Sequence, residues 1–107
     1  METARVDLTK RIAASPEVIA DFCRRNHIRK LSLFGSVLRD DFTFESDVDV
    51  LVELEPEAIP GFFDLVGMKE ELSGVFGRDV DLKTPKALSP YFRDQVLREA
   101  VPLHVAA

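Results

Sequence analysis

The sequence predicts an α/β (α+β) fold, a small mixed β-sheet with helices packed on one face. Segments with apolar residues at helical spacing alternate along the chain with short segments of strand-like alternation. In the clearest strand segment, valines occupy one face and aspartates the other, because successive side chains of a strand point to opposite faces. With 107 residues, we expect one domain spanning residues 1–107.

Composition and charge exclude several classes of protein. The net charge of -5 argues against nucleic acid as the direct partner, because binding to phosphate backbones depends on clustered Lys and Arg. No apolar stretch is long enough to span a bilayer, and residues 1–10 have no apolar segment typical of a secretory signal. The single cysteine, Cys23, fits a reducing compartment, and we interpret it as a buried helix residue. We therefore expect a cytoplasmic protein with no membrane partner.

The first helix and the first strand follow from capping residues and apolar spacing. Ser15 is a predicted N-cap, Pro16 suits the first helical position, and the helix is expected to run to about Asn26. The apolar residues within 28–34 predict the first strand, which ends on Gly35.

The central part of the chain predicts a short helix, a second strand and a long helix. The short helix is expected to begin at Ser36, and the second strand covers 47–54. Prolines and Gly61 then indicate a loop. The next helix spans 62–76, with Gly77 as its left-handed C-cap. The positions at helical spacing in this helix are Phe62, Leu65, Val66, Lys69, Leu72 and Phe76.

The last elements are a short strand and a final helix. The alternation in 80–82 predicts a third strand. Ser89 and Pro90 open the last helix, and Pro102 is expected to end it. Its apolar residues are Phe92, Val96, Leu97 and Ala100.

Three aspartates on predicted strands indicate metal chemistry. Asp47, Asp49 and Asp81 would repel one another if they converged without a cation. Oxygen ligands of this kind suit Mg²⁺, with Mn²⁺ as the alternative. Two neighbouring ions can clamp the attacking and the leaving oxygen of a displacement at phosphorus. The pattern therefore predicts a nucleotidyl or phosphoryl transferase.

A glycine–serine pair lies ten residues before the aspartates and predicts a phosphate site. Gly35 lets the backbone approach a phosphate closely, and Ser36 at a helix N-terminus offers free N–H groups to an anion. Arg39, one turn further on, would add a positive charge to the same phosphates.

Two alternatives remain open from the residues themselves. Asp79 competes with Asp81 for the third carboxylate, because both project to the same side of a strand. The second alternative is that the aspartates bind no metal and form only the solvent-exposed face of a strand.

The segments 33–39, 46–52 and 77–82 together resemble the signature of the DNA polymerase beta-type nucleotidyltransferase superfamily. More narrowly, they resemble the minimal nucleotidyltransferases, the MntA-like antitoxins of HEPN/MNT toxin–antitoxin pairs. The resemblance implies the nucleotidyltransferase fold in a single minimal domain over 1–107.

The resemblance also implies an activity and a role for each site residue. The family transfers AMP from ATP to a tyrosine hydroxyl of a cognate HEPN ribonuclease toxin, with which this chain would form a hetero-oligomer. By the resemblance, Asp47 and Asp49 ligate two Mg²⁺ ions, and Asp81 ligates the ion that activates the acceptor hydroxyl. Gly35 and Ser36 hold the β and γ phosphates of ATP.

The sequence departs from the family pattern at two places, and two alternative functions are kept beside the adenylyltransferase. Asp40 and Asp41 follow Arg39 where relatives have glycine, and His104 stands where relatives often have tyrosine. We interpret His104 as a surface residue and His27 as a structural one. The alternatives are a small-molecule nucleotidyltransferase and a non-catalytic antitoxin that neutralises its partner by contact.

Overall fold

The computed structural model describes residues 12, 14–39, 42–43, 45–58 and 60–106. Three α-helices and four strands alternate along these residues, with two short 3₁₀ turns between them. The elements are α1 (Pro16–Arg25), β1 (Ile28–Phe34), the turn Gly35–Leu38, β2 (Val48–Leu54), α2 (Phe62–Phe76), β3 (Val80–Lys83), the turn Pro85–Ala87, α3 (Pro90–Glu99) and β4 (Val101–Val105).

The four strands form one mixed sheet in the order β3-β2-β1-β4. β1 runs antiparallel to both β2 and β4, whereas β2 and β3 are parallel. The parallel connection passes through α2, as such crossovers usually pass through a helix. The predicted mixed sheet is confirmed.

The core lies on one face of this sheet, where α1 and α2 contribute buried side chains. The valines of β2 point into it, as the alternation predicts, and Cys23 is fully buried within it. The core side chains are Ile12, Ile19, Phe22, Cys23, Ile28, Leu31, Leu33, Val37, Val48, Val50, Val52, Met68, Leu72, Phe76 and Val80. In α2, Met68 is buried and Lys69 is exposed, so the spacing inferred from the sequence included one residue outside the core stripe.

The helix ends follow the predicted capping chemistry. The Ser15 hydroxyl accepts a hydrogen bond from the Val18 N–H at 3.2 Å, which caps α1. Gly77 has φ 71°, and its N–H donates to the Ser73 carbonyl at 2.9 Å, closing α2 in a left-handed cap.

The C-terminal region corrects the prediction that the last helix continues to Pro102. α3 ends at Glu99, and β4 follows as an edge strand beside β1. Pro102 is tolerated there because an edge strand does not need every N–H for the ladder. His104, interpreted from the sequence as a surface residue, is half-buried in β4 and lies opposite Leu31.

The short helix expected at Ser36 is only the four-residue 3₁₀ turn Gly35–Leu38. A turn of this length has too few aligned peptides to act as a helix N-terminus for an anion, so that physical reason for a phosphate site at Ser36 is wrong. Separately, no helix in the described part of the chain is long and apolar enough to cross a membrane.

Burial of Cys23 predicts an unreactive thiol. Burial raises the pKa of Cys23 to about 12, and the thiolate is the reactive form. We expect iodoacetamide to alkylate the native protein at least about a hundredfold more slowly than the protein unfolded in urea. Mass spectrometry of timed samples measures both rates, and equal rates would contradict the burial of this side chain.

Candidate active site

Asp49 lies at the centre of the candidate site, near the start of β2. In the sheet its Cα pairs with Phe34 of β1 on one side and with Asp81 of β3 on the other. Alternation places its side chain on the face opposite the core valines. The register therefore puts two carboxylates side by side at the end of β1.

Electrostatics at Asp49 show that the two carboxylates interact. The pKa of Asp49 is raised, first by burial and next by the negative charge of Asp81, with a smaller contribution from Asp47. The positive charge of Lys83 and a hydrogen bond from the Ser36 backbone N–H act in the opposite direction. An ionised Asp49 at this position is stabilised by added positive charge.

The turn after β1 closes directly over Asp49. Gly35 has φ 76°, a backbone conformation that favours glycine. A Cβ at this position would overlap the Asp49 Oδ2 atom and lie 3.1 Å from Asp49 Cγ. The sequence predicted a close approach at Gly35, and the structure shows that the neighbouring group is the Asp49 carboxylate.

Asp47 reaches the same region from the loop before β2. It is exposed and lies immediately before the first strand residue. The preceding turn is closed by the Thr43 N–H donating to Ser46 Oγ at 3.1 Å and the Ser46 N–H donating to the Thr43 carbonyl at 3.1 Å. The negative charge of Asp47 makes the smallest contribution to the raised pKa of Asp49, so Asp47 acts on the Asp49–Asp81 pair from a distance.

Arg78 holds this loop and was not singled out from the sequence. Its guanidinium lies 4.8 Å from the centroid of the Phe42 ring, and Nη1 donates to the Thr43 carbonyl at 3.4 Å. Arg78 directly follows the C-cap of α2. Its place next to the loop before β2 depends on the tertiary fold. Sequence spacing alone gave no signal for it.

The register distinguishes the two aspartates around β3. Asp81 pairs with Asp49, whereas Asp79 is exposed and precedes the strand. The Asp79 carbonyl accepts a hydrogen bond from the Val48 N–H at 2.9 Å, a backbone contact that needs no carboxylate. Asp81 is therefore the one placed beside Asp49.

Lys83 is the second residue that the sequence analysis missed. Its Nζ donates to Asp81 Oδ1 at 3.0 Å, and strand alternation places the two side chains on one face of β3. The predicted strand ended at residue 82, whereas β3 extends to Lys83, and the spacing of two between Asp81 and Lys83 was the signal that could have revealed the pair.

The remaining predicted residues lie near the turn. Arg39 is exposed at the end of the 3₁₀ turn, and its N–H donates to the Ser36 carbonyl at 2.9 Å. Asp40 and Asp41, the departure from the family pattern, fall outside the described residues.

In the described ranges, no group of three or more His, Cys, Asp or Glu side chains is arranged so that it could hold a metal ion. The adjacent carboxylates of Asp49 and Asp81 fit an ion held by one or two carboxylates together with waters and substrate phosphates, which is usual for Mg²⁺. The donor set at Asp49 and its neighbours is composed of oxygen atoms, as Mg²⁺ requires.

A cavity of about 510 Å³ lies at the other end of β2. Leu54 lines it, and this residue lies five positions along the strand from Asp49, a distance of roughly 17 Å. His27 also lines the cavity, so it lies away from Asp49 and Asp81. The other lining residues are Arg25, Asn26, Ala58, Pro60, Phe63, Asp64, Gly67, Met68 and Glu71.

Comparison with known proteins identifies the family. The model of the nucleotidyltransferase domain family matches residues 16–103. The chain belongs to this family. It is therefore a transferase enzyme, and the resemblance inferred from the carboxylate and glycine–serine segments is confirmed.

Relatives and solved structures agree with this assignment. The chain is 37% identical to a candidate protein adenylyltransferase of Methanocaldococcus jannaschii over 72% of this chain and 81% of the relative. It is 35% identical to the protein adenylyltransferase MntA of Thermococcus cleftensis over 69% of this chain and 73% of that protein. A solved candidate minimal nucleotidyltransferase superposes with a TM-score of 0.68 at 36% identity, covering 81% of this chain and 87% of the other. The nucleotidyltransferase fold is confirmed.

Proposed function

We propose that this chain is a protein adenylyltransferase that transfers AMP from ATP to a tyrosine hydroxyl of a cognate HEPN-type ribonuclease toxin, acting as its antitoxin. The observation that carries the proposal is the pairing of Asp49 with Asp81 beneath the Gly35 turn. Two adjacent carboxylates at a close backbone turn suit a metal-bound nucleoside triphosphate. The similarity to the Thermococcus cleftensis protein adenylyltransferase supports the choice of protein as acceptor.

The proposal assigns a task to each site residue. Asp47, Asp49 and Asp81 would hold Mg²⁺, which when bound neutralises charge on the phosphates and on the departing pyrophosphate. Asp81 would help to accept the proton of the tyrosine hydroxyl. The backbone at Gly35, the hydroxyl of Ser36 and the guanidinium of Arg39 would hold the β and γ phosphates, so that the α phosphorus faces the acceptor.

Solved structures with the same fold support the choice of partner. Structures with the same fold include a toxin–antitoxin complex with AMP-PNP and a tri-AMPylated Shewanella oneidensis HEPN toxin in complex with an MNT antitoxin. A cytoplasmic location belongs to the same proposal, because the reaction consumes ATP and the single Cys23 is a free thiol.

The position of the label distinguishes nucleotidyl from phosphoryl transfer. The chain is incubated with Mg²⁺, the protein encoded by the neighbouring gene as candidate partner, and ATP labelled at either the α or the γ phosphorus. We expect the α label on the partner and no γ label, because AMP is transferred and pyrophosphate leaves. Transfer of the γ label, or no transfer of either, would refute the proposal.

A matched pair of variants tests which aspartate of the β3 region acts. We expect Asp81→Asn to reduce transfer at least about a hundredfold, since the loss of a metal ligand removes several kcal/mol of transition-state stabilisation. Asp79→Asn removes the same charge from an exposed site outside the register with Asp49, and we expect it to retain transfer within about threefold. Initial rates of label transfer measure both, and the reverse order would contradict the assignment of Asp81.

A further inference from the structure

Lys83 provides positive charge inside the group of carboxylates. Its Nζ lies 3.0 Å from Asp81 Oδ1, close enough for a charge-assisted hydrogen bond. The side chains of Lys83 and Asp81 are 38% and 44% exposed, so the pair is accessible to ions from solvent.

The ammonium acts on both carboxylates. Asp49 pairs with Asp81 across β2 and β3, and the positive charge of Lys83 also favours the ionised form of Asp49. Two like charges side by side destabilise each other unless a cation is near. In the metal-free protein, Lys83 supplies that cation.

An ammonium and a divalent cation compete for the same carboxylate. The hydrogen bond from Nζ occupies Asp81 Oδ1, and the two positive charges would repel each other at ligand distances. Mg²⁺ and Mn²⁺ bind through carboxylate oxygens, so an ion that takes Asp81 as a ligand must displace the ammonium or share the oxygen at a cost.

We propose that Lys83 is a resident counter-ion of the Asp49–Asp81 pair, which holds the metal-free site together and weakens the binding of free divalent metal. The inference rests on the proposed function in one respect, the use of Asp81 as a metal ligand. Lys83 is a positioning residue in this role, because it acts through the carboxylates rather than on the acceptor. Free metal then binds weakly, and the phosphates of a metal-bound nucleotide offer the displaced ammonium a new partner.

The test is a titration with Mn²⁺ alone, followed by the electron paramagnetic resonance signal of the free ion. We expect Lys83→Met to bind Mn²⁺ on the order of fivefold more tightly than the wild type, the effect of losing one competing exposed ion pair. Lys83→Arg keeps the positive charge and is expected to bind Mn²⁺ as weakly as the wild type. Wild-type or weaker affinity in Lys83→Met, or equal tightening in Lys83→Arg, would overturn the proposal.

Two controls separate competition at Asp81 from other effects. Lys86→Met removes the same charge from an exposed residue of the next turn and is expected to leave Mn²⁺ affinity within about twofold of the wild type. In an Asp81→Asn background, Lys83→Met is expected to give no gain, because the contested ligand is gone. A similar gain in either control would assign the effect to general electrostatics and overturn the inference.

The melting temperatures of the same proteins in EDTA test whether Lys83 stabilises the site without metal. We expect Lys83→Met to melt below the wild type, because the two carboxylates lose their counter-ion, and an unchanged or higher melting temperature would contradict that role. If Lys83→Met does not fold, Lys83→Gln takes its place, since it keeps a hydrogen-bond donor without the charge. The Mn²⁺ titration contains no ATP and no acceptor, so failure of adenylyl transfer and failure of this inference would be seen in different measurements.

Discussion

We expect Asp49→Asn to abolish nucleotidyl transfer while the folded protein becomes slightly more stable. Burial and the charge of Asp81 both disfavour an ionised Asp49, so a neutral amide of the same shape relieves the folded state. At neutral pH in EDTA, the free energy of unfolding should rise by about 0.5 kcal/mol. With ATP and Mg²⁺, transfer to the partner should fall at least about a hundredfold, because the lost carboxylate supplied transition-state stabilisation.

The matched control is Asp79→Asn, which removes one negative charge from an exposed position. We expect this variant to change neither the free energy of unfolding nor the transfer rate substantially. Urea denaturation and initial rates measure the two quantities on the same preparations. If the free energy of unfolding of Asp49→Asn fell far enough to unfold the variant under the assay conditions, the lost transfer would mean that the carboxylate serves the fold rather than the reaction.

We expect Gly35→Ala to destabilise the protein by about 2–4 kcal/mol, a large fraction of the stability of a small domain. Part of the cost is the positive φ of 76°, which an L side chain adopts with strain. The rest is the overlap of the new methyl group with the Asp49 carboxylate, whose Cγ would lie 3.1 Å away. The displaced carboxylate should also reduce nucleotidyl transfer.

Gly77→Ala separates the cost of the positive φ from the cost of the overlap with Asp49. Gly77 has a similar φ of 71°, but a Cβ there would meet no atom within 4 Å. It should cost only about 1 kcal/mol. In an Asp49→Ala background, the cost of Gly35→Ala should fall to the same value, because the overlapping atoms are absent. Urea denaturation of the four variants gives these values, and an equal cost for Gly35→Ala in both backgrounds would rule out the contact with Asp49.

The order of elements from α1 to β3 was predictable because local signals agreed with the tertiary structure. The Ser15 hydroxyl caps α1, Gly77 closes α2, and the valines of β2 fill the core. Each signal depends on residues close in sequence. The fold class followed from these elements.

β4 was not predictable because its stability depends on pairing with a distant strand. Pro102 is normally a reason to end a regular element, and only the edge position beside β1 makes it acceptable. The helix α3 was predicted from its cap and its apolar residues, although two of these, Phe92 and Leu97, are 60% and 42% exposed.

The residues of the candidate site could be predicted from the sequence, but most of the contacts between them could not. Strand alternation placed Asp47 and Asp49 on one face, and the repeat of the pattern at Asp81 indicated a third carboxylate. The contact between Gly35 and Asp49 depends on the antiparallel register of β1 and β2, which sequence spacing does not specify. The ion pair of Lys83 likewise needed the strand to be placed.

The intact mass of the partner tests the central claim most directly. The protein encoded by the neighbouring gene, as candidate partner, is incubated with ATP and Mg²⁺, together with either the wild-type chain or Asp49→Asn. We predict that its mass increases by whole adenylyl groups with the wild type and does not change with Asp49→Asn. An unchanged mass with the wild type, or the same increase with both proteins, would contradict adenylyl transfer at the Asp49 site.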